Sequence, residues 1–212
     1  MRYFSRVAGL ASVVIFIIIS YNFMDRQIAK FTEILLKKNR LLVTYASDIP
    51  DLLFPIACAI TILSWIAYYY FRRKKIRSPY IRLFLLIGWT VPLSFFLKTV
   101  LKHFFGMTNA RVWLADGGEF GFHWFRGGGD YNGFPSGHMV ICTVLAIALI
   151  RFFPRSRSAV LFATFLLAAA LVVTGYHFVS DVVAGAYLAL LVDFSVCRAL
   201  YGYKNRFEAD LI

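Results

Sequence analysis

The chain has 212 residues, 60% hydrophobic and 18% aromatic but only 16% charged, with a positive mean hydropathy. A soluble globular domain carries about a quarter charged residues, so this composition excludes that class and predicts an integral membrane protein. The formal net charge of +12 fits topology and anionic lipid better than a nucleic-acid partner, because the basic residues gather in short connections between apolar stretches.

In chain order the apolar stretches are 7–24, 52–71, 83–101, 134–150, 158–176 and 178–197. A bilayer-crossing helix takes about 20 mostly apolar residues. Lys98, His138 and Asp193 are the polar exceptions and are placed near the stretch ends. The first stretch exceeds a signal-peptide core and lacks a small-x-small cleavage pattern, so it is read as a retained helix. Between it and the second stretch, Ile28, Phe31, Ile34 and Leu35 recur at helical spacing among Arg26, Lys30, Lys37, Lys38 and Arg40, predicting an amphipathic helix on the outer membrane surface.

Most of the 23 basic residues fall on one side if the N-terminus is cytoplasmic: Arg2, Arg6, the run from Arg72 to Arg77, Arg82, Arg151, Arg155, Arg157, Arg198, Lys204 and Arg206. That asymmetry orients the bundle with both termini inside. On the opposite side, the connection 102–133 is long and rich in Gly and aromatics, including Trp113, Phe120, Phe122, Trp124 and Phe125, which predicts a folded cap rather than disorder. Cys58, Cys142 and Cys197 stand in separate apolar segments without zinc or disulfide spacing and are read as packing residues. No repeat or linker divides the chain, so residues 1–212 are taken as one domain.

The chemistry-bearing residues all fall at the outer ends of helices in this topology: Lys102, Arg111, Ser136, Gly137, His138, His177 and Asp181. Two histidines, one followed four residues later by a carboxylate, supply the parts for covalent phosphoryl transfer, in which one imidazole attacks and the other protonates the leaving oxygen. Pro135 suits a first helical turn, so Ser136, Gly137 and His138 are predicted to open the fourth helix, where free N–H groups attract phosphate oxygens. Asp193 is expected to pair with a basic residue at the inner end, and His103 and His123 to act as polar anchors. Taken alone, Lys102 and Arg111 would pass as snorkelling side chains.

Pro135-Ser136-Gly137-His138 and Gly175-Tyr176-His177-Phe178-Val179-Ser180-Asp181, preceded by Lys102 and Arg111, resemble the type 2 phosphatidic acid phosphatase (PAP2) superfamily. The resemblance runs roughly from Lys98 to Asp193. It implies an all-α bundle of six transmembrane helices with an outer cap, no metal or other cofactor, and hydrolysis of a lipid phosphate monoester or diphosphate. In that reading His177 is the nucleophile, Asp181 orients it from the same helix face, and His138 is the general acid. Lys102, Arg111, Ser136 and Gly137 bind the phosphate, with Lys98 as a stand-in for Lys102. The candidate substrates are phosphatidic acid, phosphatidylglycerophosphate, a polyprenyl diphosphate and the lipid A class, and the expected home is a bacterial inner membrane with the site facing the periplasm.

Two features depart from the family pattern. Residues 103–110 separate Lys102 from Arg111, longer than the family's six-residue spacing, and Val112 replaces the proline that comes next. Leu171 stands where an arginine is expected, six residues before His177. A charged hydrogen bond contributes about 1.5–3 kcal/mol, so an uncompensated loss would cost roughly one to two powers of ten in transition-state stabilisation. Arg126 in the cap is the proposed replacement. The alternative is a non-catalytic lipid-phosphate binder or transporter; haem ligation by His138 and His177 and a soluble haloperoxidase are the more distant readings.

Overall fold

The computed structural model describes residues 2–38 and 49–202. Arg40, Lys204 and Arg206 of the predicted basic pattern, and the side chains of Arg2, Arg6, Lys37 and Lys38, lie outside the described part. Among the described residues the fold is all helical, with one isolated antiparallel bridge between Met107 and Phe122. The helices are α1 (Arg2–Ile19), α2 (Asp25–Lys38), α3 (Ile49–Arg73), α4 (Tyr80–Phe105), α5 (Ala110–Asp116), α6 (Gly137–Phe152), α7 (Arg157–Val173) and α8 (Val179–Tyr201), with a π-helical turn at Ser20–Met24 and a 3-10 turn at Pro154–Ser156.

All six predicted apolar stretches are helical over most of their length. Four segments are long and apolar enough to cross a membrane by length and composition: Ala11–Leu35, Tyr80–Phe105, Pro154–Val173 and Val179–Tyr201. Gly137–Phe152 is apolar but shorter, because the helix, capped by Ser136, starts three residues into the predicted stretch and Phe153-Pro154 ends it. The first connection also differs from expectation. α2 continues from α1 through the π-turn, its buried Asp25, Ala29 and Thr32 face the protein, and Phe31 and Ile34 point outward, 62% and 60% exposed.

α4, α6 and α8 form the centre. Leu86, Val91, Ile141, Val144, Ala148, Ala189 and Val192 pack there with almost no exposure. The helices alternate in direction, so one end of the bundle carries the 74–79 turn, Pro154–Ser156 and the end of α8. At this basic end Arg151 Nη2 meets Asp193 Oδ2 at 2.5 Å, as expected from the sequence, and Arg151 Nη1 donates to Cys197 Sγ, while the Tyr201 hydroxyl donates to the Arg82 carbonyl at 3.3 Å. The opposite end carries residues 106–136 and 174–178.

The 106–136 segment is a folded cap. Gly106 closes α4 in the left-handed region, φ 54°, and backbone bonds from His123 N–H to Gly106 C=O and from Gly127 N–H to His103 C=O zip the cap onto the end of α4. His103 Nδ1 adds a contact to the Gly127 carbonyl at 3.1 Å, and His123 packs on Tyr131. Phe105, Phe122, Trp124 and Phe134 make one cluster of tilted and edge-to-face rings, and Trp113 and Phe120 close edge-to-face over the fully buried Phe178.

α6 and α8 are in close contact at Gly185, where a Cβ would lie 2.6 Å from the Ser136 carbonyl oxygen and 3.0 Å from Met139 Cβ. A Gly185→Ala change is expected to drive the two helices apart and destabilise the protein by about 1–3 kcal/mol. Gly9→Ala, with nothing within 4 Å of its added Cβ, is the matched control and is expected to leave the melting temperature in detergent unchanged or slightly raised.

Candidate active site

Ser136 caps α6. Its extended backbone, φ −60° and ψ 115°, precedes the helix, and its Oγ accepts from Met139 N–H at 3.4 Å. The helix therefore begins at Gly137, one residue later than the sequence pattern suggests. This leaves the first-turn N–H groups, the Ser136 hydroxyl proton and the His138 ring at the cap end. A Cβ on Gly137 would sit 3.1 Å from Lys98 Cδ and 3.3 Å from its Nζ. The missing side chain is what lets the lysine reach over the helix N-terminus.

α8 starts at Val179, so His177 precedes the helix rather than sharing its face. Two backbone bonds fix it there: the N–H groups of Tyr176 and His177 both donate to the Leu171 carbonyl, at 2.9 and 3.1 Å. Asp181, three residues past the Phe178 cap, folds back so that its Oδ2 accepts from Phe178 N–H at 3.0 Å and lies 3.5 Å from His177 Nδ1. The latter is an ion-pair distance rather than a hydrogen bond. The i, i+4 spacing still brings carboxylate and imidazole together, through a reverse turn in place of a helical face.

The two motifs are joined directly, because Ser136 N–H donates to the Asp181 carbonyl at 3.0 Å. The rings of His138 and His177 are consequently 5.7 Å apart between centroids. Neither nitrogen of His138 has a hydrogen-bond partner within the protein, nor do His177 Nδ1 and Asp181 Oδ1. Buried polar atoms left open in this way are costly in a resting protein and concentrate where a ligand supplies partners.

Three cations surround the pair. Lys98, Lys102 and Arg111 all lie close enough for their charges to act on both histidines. Lys102 Nζ donates to the Asn132 carbonyl, and the Arg111 guanidinium stacks 3.7 Å from the centre of the Tyr176 ring, whose edge meets His138. Asn109 caps α5 by accepting from Arg111 N–H at 3.0 Å, so the longer Lys102…Arg111 spacing is taken up by the chain reversal that precedes α5. The Leu171 side chain packs with Met139 and Val182 in an apolar cluster. Arg126 is exposed on the cap, its guanidinium 5.5 Å from the Tyr131 ring centre.

Burial holds the His177 imidazole well below its ordinary value, with the Lys102 charge acting in the same direction, a hydrogen bond to the Gly133 carbonyl opposing it, and Arg111 and Lys98 adding to the depression. His177 is therefore neutral at pH 7 and keeps a lone pair. Lys102 and His177 thus both touch one backbone segment, Asn132-Gly133, which is tethered by Gly133 N–H to the Met107 carbonyl at 2.9 Å. Sequence reasoning held Lys98 only in reserve, although it lies four residues before Lys102 on one helix face; Tyr176 entered only as a motif neighbour with no role, and the two carbonyls carried no sequence signal.

The sequence model of the PAP2 superfamily matches residues 83–205, more than half of the chain. The chain belongs to the PAP2 superfamily. All the PAP2 motif residues described above fall inside that span. A lipid A 1-phosphatase of Rhizobium johnstonii is 33% identical over 119 residues, covering 53% of this chain and 48% of that protein, so the chain spans about half the length of this relative. No solved structure matches.

Four outcomes are expected in assays of this PAP2 protein. A group that must be deprotonated, with its pKa lowered, stays competent further into acid; the acid limb of kcat/KM assigned to His177 should lie below about pH 6.5. Removing the Lys102 charge lets that pKa rise, so Lys102→Met should move the limb upward. Lys98→Met should lower kcat about 10- to 100-fold, whereas Arg126→Ala should change it less than about twofold, as measured by initial rates of phosphate release.

Proposed function

We propose that this protein is a membrane lipid phosphatase that hydrolyses a phosphate monoester or diphosphate through a phosphohistidine. The observation that carries the reading is the meeting of His138, His177 and Asp181 with Lys98, Lys102 and Arg111 at one end of the bundle. The six apolar stretches named in the sequence all cross the bilayer in this reading, the basic end is cytoplasmic, and the site opens at headgroup depth on the outer, periplasmic side. A lipid phosphate reaches such a site without its tails leaving the membrane.

In the first step a neutral imidazole nitrogen of His177 attacks phosphorus. A P–N bond forms as the P–O bond to the lipid breaks, and His138 gives its proton to the departing oxygen. Lys98, Lys102 and Arg111 balance the charge on the phosphoryl oxygens, and the N–H groups opening α6 add donors. Asp181 stabilises the cationic phosphoimidazole. In the second step water attacks phosphorus, His138 accepts its proton, the P–N bond breaks, and inorganic phosphate leaves with both histidines restored. The charge expected from an arginine at position 171 is supplied by Lys98, which closes over Gly137. The similarity to a lipid A 1-phosphatase favours the lipid A class among the candidates, and the chemistry needs no metal.

The test is phosphate release by the purified protein from phosphatidic acid, phosphatidylglycerophosphate, a polyprenyl diphosphate and lipid A. At least one substrate should turn over, with and without EDTA. His177→Ala should fall to background and His138→Ala by about 100-fold or more. Saturable binding of a lipid phosphate with no release from any of the four would establish the non-catalytic alternative instead.

A further inference from the structure

α8 presents an unusual start for a helix that carries a site. Its N-cap is Phe178, which has no side-chain acceptor, and the Asp181 carboxylate is turned back onto Phe178 N–H. The next donors, the N–H groups of Val179 and Ser180, need acceptors because this turn is buried; Ser180 and Asp181 have no exposed surface. The acceptor comes from the other end of the sequence. Asp25 Oδ1 accepts from Ser180 N–H at 3.0 Å, its Oδ2 accepts from the Ser180 hydroxyl, and Val179 N–H also points at the carboxylate.

Asp25 is itself 1% exposed and comes directly after the π-turn Ser20–Met24, whose closing bond runs from Asp25 N–H to the Ser20 carbonyl. One extra residue in a helical turn rotates the succeeding residues by about 100°. That rotation puts Asp25 on the same buried face as Ala29 and Thr32. Tyr21, stacked on Phe120 and Phe122, and Arg26, over Phe120, hold this junction against the cap. The carboxylate also sits at the positive end of the α8 dipole.

We infer that Asp25 is a positioning residue for the active site: it caps α8 from a separate helix and so fixes the first turn that sets Asp181 against His177. It lies outside residues 83–205, the span matched by the family. The inference rests on the phosphatase reading for its kinetic consequence but not for its structural one. Asparagine keeps an acceptor for Ser180 N–H and a donor to the serine hydroxyl, so Asp25→Asn preserves the cap, whereas Asp25→Ala removes it.

Two measurements on the full-length protein in lipid nanodiscs test this. Amide hydrogen exchange should accelerate about tenfold in Asp25→Ala at residues 179–182 while α4 and α6 keep wild-type rates, and Asp25→Asn should stay near wild type. On whichever lipid the wild type hydrolyses, kcat should fall about tenfold in Asp25→Ala with KM changed less than about twofold, and Asp25→Asn should retain most of kcat. Ser180→Ala, which keeps the N–H bond, should show a smaller shift at the same residues and decides the matter if Asp25→Ala does not fold. Unchanged exchange at 179–182, acceleration spread over the whole bundle, or an asparagine variant as impaired as alanine would overturn the inference. A wild type that releases no phosphate would sink the phosphatase reading, and the exchange result would still decide the role of Asp25 in capping.

Discussion

One backbone hydrogen bond organises the end of this molecule where the two histidines meet: Ser136 N–H to the carbonyl of Asp181, at 3.0 Å. It ties the N-terminus of α6 to the first turn of α8, and it forms because Gly185 lets the helices come within backbone contact. Both helices then aim their positive ends at one place. His138 enters from one, His177 and Asp181 from the other, and the ring separation is set by the joint. Moving either helix by an ångström would leave every side chain in place on its own element and separate the pair.

The electrostatics derive from the same geometry. Lys98 and Lys102 rise from one face of α4, and Arg111 is turned inward by the Asn109 cap and held on Tyr176. Three cations beside the buried His177 imidazole repel proton binding there, which leaves His177 with its lone pair, and they favour a polyanion over a neutral ligand. Asn132 and Gly133 present carbonyl oxygens to Lys102 and His177, so the cap already offers oxygen acceptors where phosphate oxygens are expected to bind.

The parts legible in the sequence are those written locally. Apolar runs marked segments that are helical over most of their length, Pro-Ser-Gly-His marked a helix start, and His177-x-x-x-Asp181 marked a pair. The PAP2 resemblance matched the family span. The hidden parts depend on distant partners. The partner of Ser180 is 155 residues away, and no local pattern announces a carboxylate that caps another helix. Continuity of α1 into α2 through a π-turn overrode the break that charged residues suggested after Met24. His177 and Asp181 were read as one helical face, but the buried Phe178 cap turns the chain between them. The arginine absent at Leu171 pointed to the cap and Arg126. In the fold an apolar cluster fills the Leu171 site, Arg126 is exposed on the cap, and Lys98 lies over Gly137, where a Cβ would sit 3.1 Å from its Cδ.

The central claim is that His177 becomes covalently phosphorylated. It is tested most directly by rapid acid-free quenching of the protein with a lipid carrying a radiolabelled phosphate, followed by peptide mapping. The account predicts a base-stable, acid-labile label on the peptide containing His177, accumulating in His138→Ala and absent in His177→Ala. Label on Ser136 or another residue, or full turnover with no protein-bound phosphate at any time, would contradict it.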